Sequence, residues 1–97
     1  MEYEGRTVIV TGAGTGVGAA AAERLAKGGA NVVVNYSRSR DEAEAVAAAG
    51  RGGGGDAMAA QGDVASDEDC KRLAGEAVAR WGRIDGLINS AGTTVFR

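Results

Sequence analysis

Apolar and polar positions follow each other along this chain in blocks that have the lengths of strands and helices. Two runs rich in β-branched residues, Thr7–Val10 and Asn31–Asn35, are almost continuous in their hydrophobicity. Such continuity is typical of strands in a parallel sheet that is covered on both faces. Ile84–Asn89 predicts a further strand. Ala57–Gln61 predicts a weaker one, because alanine and methionine do not favour strands.

Helix-forming residues fill the intervals between these strands. Ala19–Lys27 is rich in alanine and is followed by Gly28 and Gly29, which suit a C-cap. Asp41–Ala49 predicts a second helix. The glycine tract 50–55 comes next, and it is not expected to hold a helix. Its composition predicts a flexible connection.

A capping pattern opens the third predicted helix. Ser66 is followed three residues later by Asp69, which resembles the reciprocal capping box of helix N-termini. The helix is predicted to run to about Trp81. Apolar residues at spacings of three and four give it one apolar face, made of Cys70, Leu73, Ala74, Ala77, Val78 and Trp81.

The order of the elements indicates the fold class. Strands and helices alternate, beginning and ending with a strand. Such alternation with short links favours an α/β fold, in which right-handed crossovers build a parallel sheet with helices on both faces. No repeat or domain boundary is visible, so residues 1–97 are interpreted as a single unit, which is small for a domain.

Composition narrows the classes of partner and site. The formal net charge is −2 and both signs are mixed along the chain, which favours neither nucleic acid nor an anionic membrane. No basic N-terminal region or long apolar run predicts a signal peptide or a membrane span. The lone Cys70 leaves no intrachain disulfide and fits a reducing compartment, the cytoplasm by default; its side chain is expected in the core. With no histidine, a metal site is not expected.

A glycine-dense turn joins the first strand to the first helix. The pattern Thr-Gly-x-x-x-Gly-x-Gly falls there, at Thr11, Gly12, Gly16 and Gly18. Backbone N–H groups at a helix N-terminus can hold a phosphate, and glycines let it approach closely. A Walker-type phosphate loop would end in Gly-Lys-Ser/Thr, and the ending Gly16-Val17-Gly18 excludes that alternative.

Two further motifs follow later strands. Asp63-Val64 comes after the third strand, and Asn89-Ser90-Ala91-Gly92 ends the fourth. Together with the glycine loop they resemble the classical short-chain dehydrogenase/reductase family, whose signature combines a TGxxxGxG loop with an NNAG-like segment. Ser90 replaces the second asparagine of that segment, a small polar change. The resemblance covers essentially the whole chain and implies a Rossmann-type three-layer fold with strand order 3-2-1-4.

The resemblance implies a role for each residue of the glycine loop. Gly12 would form the turn, Gly16 would let the backbone approach the pyrophosphate, and Gly18 would let the helix pack against the strand. Thr15 and Val17 occupy positions where the family contacts phosphate and the nicotinamide ribose.

The later motifs would hold the other parts of a dinucleotide. By resemblance, Asp63 would accept the adenine amino group, with the backbone of Val64 beside it. Asn89, Ala91 and Gly92 would line the ribose side and hold the central strands together. From the residues alone, a turn-forming acid before a helix is the favoured interpretation of Asp63, and a strand-end cap explains Asn89 equally well.

The residues after the second strand favour NADP over NAD as the cofactor. An NAD site places an acid there, about 20 residues after the glycines, to bind the ribose 2′-hydroxyl. No acid occurs before Asp41, whereas Ser37 and Arg38 could attract a 2′-phosphate through charge-assisted hydrogen bonds. Thr15 stands at a position that is often basic in NADP-preferring relatives. Arg38 and Arg40 can also be interpreted as solvated residues at a helix start, and NAD remains the alternative.

The residues that carry the family's proton transfer are not found in this chain. The family uses a Tyr-x-x-x-Lys pair and a serine, all located after the fourth strand. Tyr3 is followed at the fourth position by Thr7, and Tyr36 by Arg40, so neither forms the pair. No catalytic residue is therefore assigned, and the 97 residues alone are expected to be inactive.

Two functions remain open. The first is the cofactor-binding part of an alcohol dehydrogenase or ketoreductase, for example of the 3-oxoacyl reductase kind, within a chain of about 250 residues. The second is a dinucleotide-binding or dimerising fragment without turnover. In both cases the fourth strand is expected to be an uncovered edge, which predicts self-association.

Overall fold

The structure is a computed structural model that describes residues 3–12 and 16–89. Within these residues, strands and helices alternate as β1 (Thr7–Thr11), α1 (Gly16–Lys27), β2 (Asn31–Tyr36), α2 (Arg40–Arg51), β3 (Asp56–Gln61), α3 (Asp67–Trp81) and β4 (Gly86–Asn89). The predicted order of elements is confirmed, including the alanine-rich β3.

The strands form one parallel sheet in the order β3-β2-β1-β4, so the predicted order 3-2-1-4 is confirmed. Ile9 of β1 lies opposite Val33 of β2 on one side and opposite Leu87 of β4 on the other. The chain leaves β1 toward β2 but returns as β4 on the other side of β1. In open α/β sheets, ligands bind at such a reversal, outside the carboxyl ends of the strands.

Helices cover both faces of the sheet. On one face, Ala26 of α1 and Ala47 of α2 pack in a cluster with Val34. On the other face, Leu73 of α3 packs with Val33. Consecutive valines of β2 thus face opposite helix layers and are both buried, which is why the strand is apolar at successive positions.

The glycine tract is a packed turn, and the prediction of a flexible connection from its composition is wrong. α2 continues through Gly50 and ends at Arg51. A Cβ on Gly50 would lie 2.8 Å from the Cβ of Ala26, and a Cβ on Gly55 would overlap the carbonyl oxygen of Ala30. The glycines permit this close approach of the tract to the end of α1. Here packing overrides the low intrinsic helix propensity of glycine.

The apolar face predicted for α3 is only partly buried. Leu73 and Ala77 pack against the sheet, but Val78 is 48 % exposed. Cys70 is also exposed, so its predicted place in the core is wrong. α3 packs over β1 and β2. Cys70 instead lines an apolar cavity of about 320 Å³, whose lining also includes Leu87 of β4.

Two elements start more than one residue away from their predicted starts. α1 begins at Gly16, three residues before the predicted Ala19. β4 begins at Gly86 and not at Ile84. Just before it, Asp85 already contacts β1: its carboxylate accepts the backbone N–H of Thr7 at 2.8 Å, and its own N–H donates to the carbonyl of Thr7 at 2.7 Å.

Candidate functional site

The glycine loop lies at the carboxyl end of β1, at the reversal of strand order. Gly12 follows the strand with a φ of 62°, and Gly16 begins α1 with a φ of 64°. Other residues rarely adopt such left-handed conformations, so the turn depends on glycine at both positions. The first turn of α1 contains no acidic residue, which leaves the positive end of the helix dipole available to an anion.

The remaining residues of the loop motif differ in their exposure. Val17 is 81 % exposed at the start of α1. Gly18 is buried in the first turn of α1. Thr15, which the resemblance places against phosphate, lies outside the described residues.

The Asp63 turn, residues 62–65, lies at the carboxyl end of β3. Oδ1 of Asp63 accepts the N–H of Ala65 at 2.9 Å, and the N–H of Asp63 donates to Oδ2 of Asp69 at 2.7 Å. Oγ of Ser66 accepts the N–H of Asp69 at 3.2 Å, which is one half of the predicted capping box. The other half of a capping box would be a hydrogen bond from the Ser66 N–H to the carboxylate of Asp69. Here the Ser66 N–H donates to the carbonyl of Asp63, and the carboxylate of Asp69 accepts the N–H of Asp63.

Asn35 of β2 links the glycine loop to the end of β3. Oδ1 of Asn35 accepts the N–H of Gly12 at 3.3 Å. Nδ2 donates to the carbonyl oxygens of Ala60 at 3.3 Å and Gly62 at 3.2 Å. From the sequence, Asn35 is predicted only as a strand residue. The available signal is an amide that directly follows three valines in that strand, since a buried amide requires partners.

A cavity of about 120 Å³ opens between the glycine loop and the Asp63 turn. It is lined by Gly12, Asn35, Ser37, Gly62, Asp63 and Val64. A neighbouring cavity of about 290 Å³ extends past Ser37 and Asp63 to Arg72. Four residues predicted for the site, Gly12, Ser37, Asp63 and Val64, therefore meet at the carboxyl edge of the sheet.

The segment after β2 carries a cationic residue, Arg38, directly after Ser37, which lines this cavity. The carbonyl of Ser37 accepts the side-chain N–H of Gln61 at 3.1 Å, which ties the segment to the end of β3. Arg38 is exposed, and it makes no hydrogen bond or ion pair in the part of the chain that the structure describes. The first acid after β2 is Asp41, which lies in the first turn of α2.

The end of β4 lies beside the glycine loop. The backbone of Asn89 is in register with Thr11, the last residue of β1. The start of the Asn89 motif is therefore next to the end of β1, from which the glycine loop begins. Ala91 and Gly92 of the same motif lie outside the described residues.

The aspartates with shifted pKa values lie at the amino edge of the sheet, away from this cavity. At the start of β3, burial acts to raise the pKa of Asp56, but hydrogen bonds from Arg80 and Trp81 outweigh it and lower the pKa. Before β4, the hydrogen bond from Arg83 lowers the pKa of Asp85. These two aspartates stabilise the fold. The cavity at the carboxyl edge is lined instead by backbone groups and by the Asp63 turn.

Neither a membrane-spanning helix nor a metal site is found within residues 3–12 and 16–89. No helix there combines the length and the apolar character that are needed to cross a membrane. No group of three His, Cys, Asp or Glu side chains there is placed to hold a metal ion.

Known proteins are similar to this chain in both sequence and fold. The sequence model of the family described as short chain dehydrogenase matches residues 6–97. The 11-beta-hydroxysteroid dehydrogenase-like 2 of Arabidopsis thaliana is 40 % identical over 95 residues, which are 95 % of this chain and 31 % of the relative.

Solved structures agree with this match. A short-chain dehydrogenase/reductase from Serratia marcescens superimposes with a TM-score of 0.87 and 38 % identity, over 96 % of this chain and 38 % of its own. A dehydrogenase from Burkholderia cenocepacia with bound NADP gives a TM-score of 0.84 and 32 % identity, over 91 % and 34 %. The chain thus spans about a third of the length of these proteins. Because the sequence model of the family matches nearly all of its residues, the chain belongs to the short-chain dehydrogenase/reductase family.

Proposed function

We propose that this chain forms the cofactor-binding part of an NADP(H)-dependent oxidoreductase that acts on alcohol or carbonyl groups. The family binds NAD(P), and the choice of NADP over NAD for this chain is part of the proposal. The chain spans about a third of the length of its relatives, so the activity of a whole protein is also part of the proposal. The observation that carries it is the meeting of the glycine loop and the Asp63 turn at one cavity. A dinucleotide needs a phosphate site and a base site side by side, and these two segments supply both kinds of group.

The glycine loop fits a pyrophosphate. Among the described residues, a Cβ built on Gly16 would meet nothing within 4 Å, so a phosphate oxygen has room to approach the backbone at Gly16. The N-terminus of α1 favours an anion there, by about 0.3–1 kcal/mol for an exposed charge. The 81 % exposed side chain of Val17 would be covered by the same ligand.

The Asp63 turn fits the adenine base. Oδ1 of Asp63 accepts the N–H of Ala65, while Oδ2 has no hydrogen bond within the described residues. An exocyclic amino group is a donor of the kind this oxygen requires. The N–H of Asp63 is already held by Asp69, so the turn would be in place before the base binds.

The segment after β2 supports NADP over NAD. A carboxylate at that place would repel a 2′-phosphate, and none occurs between Tyr36 and Arg40. Arg38 has no competing partner in the described residues, so its guanidinium could form a charge-assisted pair with the phosphate. The hydroxyl of Ser37 would add a second donor. NAD is the alternative if Arg38 stays solvated.

The nicotinamide cofactor, when bound, supplies or accepts the hydride. The residues of this chain would bind and orient it. The proton transfer of the family needs a Tyr-x-x-x-Lys pair, which the 97 residues do not contain. We therefore place that step in other parts of a family protein, and expect no turnover from these residues alone. A cytoplasmic location would fit the single, exposed thiol of Cys70.

Titration of NADP⁺ against the chain by calorimetry tests the proposal. The glycine pair Gly16→Ala and Gly75→Ala is a matched comparison, because a Cβ meets open space at both positions but only Gly16 has a positive φ and lies in the loop. NADP⁺ should bind the unaltered chain and Gly75→Ala equally, and Gly16→Ala about tenfold or more weakly, since strain of about 1–2 kcal/mol moves the loop. Equal binding by Gly16→Ala, or none by the unaltered chain, would reject the proposed site.

A binding or dimerising function without turnover is a second candidate. It is favoured by the exposure of Ile84 and Leu87, which are 39 % and 42 % exposed beside the apolar cavity. A chain that binds NADP⁺ and also forms a dimer through this face would support it.

A further inference from the structure

Asn35 is the buried polar side chain that joins three strands at the carboxyl edge. It is 2 % exposed and lies in β2, between β1 and β3. Its partners on the two sides, Gly12 and Gly62, are each the first residue after the end of their strand. On the β1 side, the pairing with β2 ends at Val10 and Val34, and the amide of Asn35 continues the connection to Gly12. On the β3 side, the amide adds to the backbone hydrogen bond that the N–H of Gly62 donates to the carbonyl of Tyr36 at 2.9 Å.

The hydrogen-bonding capacity of this side chain matches its surroundings. The two donors of Nδ2 are used by the carbonyls of Ala60 and Gly62, and Oδ1 accepts from Gly12. No buried side-chain nitrogen or oxygen lacks a partner among the described residues. A leucine at this position would leave these three backbone groups without their hydrogen-bond partner. An aspartate would place a carboxylate against two carbonyl oxygens, which cannot donate to it. A serine side chain is too short to reach both neighbouring strands.

A second asparagine of the same strand provides an internal contrast. Asn31 lies at the opposite end of β2, where Nδ2 donates to Oγ1 of Thr7 at 3.4 Å. It therefore bridges β2 to β1 at the amino edge and is only partly buried. An amide bridge stabilises both ends of the sheet, but only Asn35 lies between the glycine loop and the Asp63 turn.

We infer that Asn35 is a positioning residue, which sets the separation of the glycine loop from the Asp63 turn and so allows one dinucleotide to contact both. The inference rests on the proposed function for the identity of the ligand. Its consequence is specific: without Asn35, the Asp63 turn keeps its other hydrogen bonds to β2 and the segment after it, but Gly12 loses its side-chain link to that turn, so the spacing of the two segments is less firmly held. A ligand that contacts one segment loses little, and a ligand that spans both loses more, because it must restore the spacing itself.

The experiment compares Asn35→Leu with Asn31→Leu, using NADP⁺ and adenosine as separate probes, at a temperature at which circular dichroism shows each variant fully folded. Asn35→Ser serves if Asn35→Leu does not fold. Substitution at Asn35 should weaken NADP⁺ binding about tenfold, as expected for the loss of about one well-made buried hydrogen bond, and adenosine binding about twofold or less. Asn31→Leu should leave both affinities unchanged. Equal losses for the two probes, or equal effects of the two substitutions, would overturn the inference in favour of a general stabilising role.

An amide measurement without ligand separates this inference from the proposed function. The ¹H resonance of the Gly12 amide should shift on substitution of Asn35, which removes an acceptor, and should stay in place on Asn31→Leu. If NADP⁺ fails to bind the unaltered chain, the proposed function fails, and a shifted Gly12 amide still supports a link between the two segments. A Gly12 amide that does not respond to Asn35 overturns the inference whatever the ligand does.

Discussion

Thr7 and Asp85 exchange two hydrogen bonds where β1 and β4 begin to pair. The N–H of Thr7 donates to Oδ2 of Asp85 at 2.8 Å, and the N–H of Asp85 donates to the carbonyl of Thr7 at 2.7 Å. Arg83 donates to the same carboxylate through Nε at 2.9 Å. The contact fixes the register of β4 from its amino end, and that register places Asn89 beside Thr11 at the carboxyl edge.

Asp85 should make the stability of the chain depend on acid pH. Arg83 and the Thr7 N–H lower its pKa below the usual 3.8, so its contribution is present above that value and is lost as the pH falls through the folded-state pKa. Asp85→Asn should therefore lower the melting temperature at neutral pH, with a difference from the unaltered chain that shrinks below about pH 4. Glu44→Gln on the exposed side of α2 is the control. A difference that is constant from pH 7 to pH 3 would show that the ionised form of Asp85 contributes nothing.

The glycines of α2 and α3 should respond oppositely to alanine. A Cβ at Gly50 would lie 2.8 Å from the Cβ of Ala26, which cannot rotate away, so Gly50→Ala should destabilise the chain by about 1–3 kcal/mol despite its better helix propensity. Gly75→Ala in α3 meets open space and should stabilise it by about 0.5–1 kcal/mol. Urea denaturation followed by circular dichroism measures both. Stabilisation by both substitutions would mean that α1 and α2 are not in contact at Gly50.

Local pattern was sufficient for the elements and their order. The valines of β2 predict a strand buried on both faces, and the glycine loop predicts the start of a helix. The local sequence pattern gave wrong predictions where burial and conformation depend on the distance between separate elements. Gly50 lies where α2 comes so near to Ala26 of α1 that a Cβ would be 2.8 Å away, and this close approach is not visible in the local sequence. Cys70 is exposed although α3 packs over β1 and β2, and the helical period alone does not give that exposure.

The candidate site divides in the same way. Gly12, Asp63 and their neighbours were found because their motifs resemble those of a family. Asn35 was missed, although it joins those motifs, because its partners lie 23 to 27 residues away in the sequence. Only the sheet order brings Gly12, Ala60 and Gly62 around one side chain.

Cofactor preference should depend on Arg38. Arg38→Glu removes a cation and adds a charge that repels a 2′-phosphate, so NADP⁺ should bind about tenfold or more weakly, as for loss of one charge-assisted hydrogen bond, while NAD⁺ affinity is kept. Arg24→Glu, an exposed change on α1 away from the cavity, is the control. Calorimetric titration of both cofactors gives the ratio. If Arg38→Glu leaves that ratio unaltered, Arg38 is a solvated residue and the preference has another origin.

Self-association should involve the face that carries Leu87. Within the described residues, β4 is an edge strand and Leu87 is 42 % exposed beside an apolar cavity. Leu87→Lys should weaken dimer formation about tenfold, because burial of one leucine contributes about 1.5–3 kcal/mol. Ala49→Lys, on the opposite helix layer, should have no effect. Sedimentation over a concentration series decides the matter, and a chain that remains monomeric throughout would remove this expectation.

In the proposed complex, one dinucleotide contacts both the glycine loop and the Asp63 turn. Titration of the ¹⁵N-labelled chain with NADP⁺, followed amide by amide, tests it most directly. We expect saturable shifts with a single affinity at Gly12, Gly16, Val17 and Asp63. Shifts confined to the apolar cavity between α3 and β4, or a different affinity at each of the two segments, would contradict it.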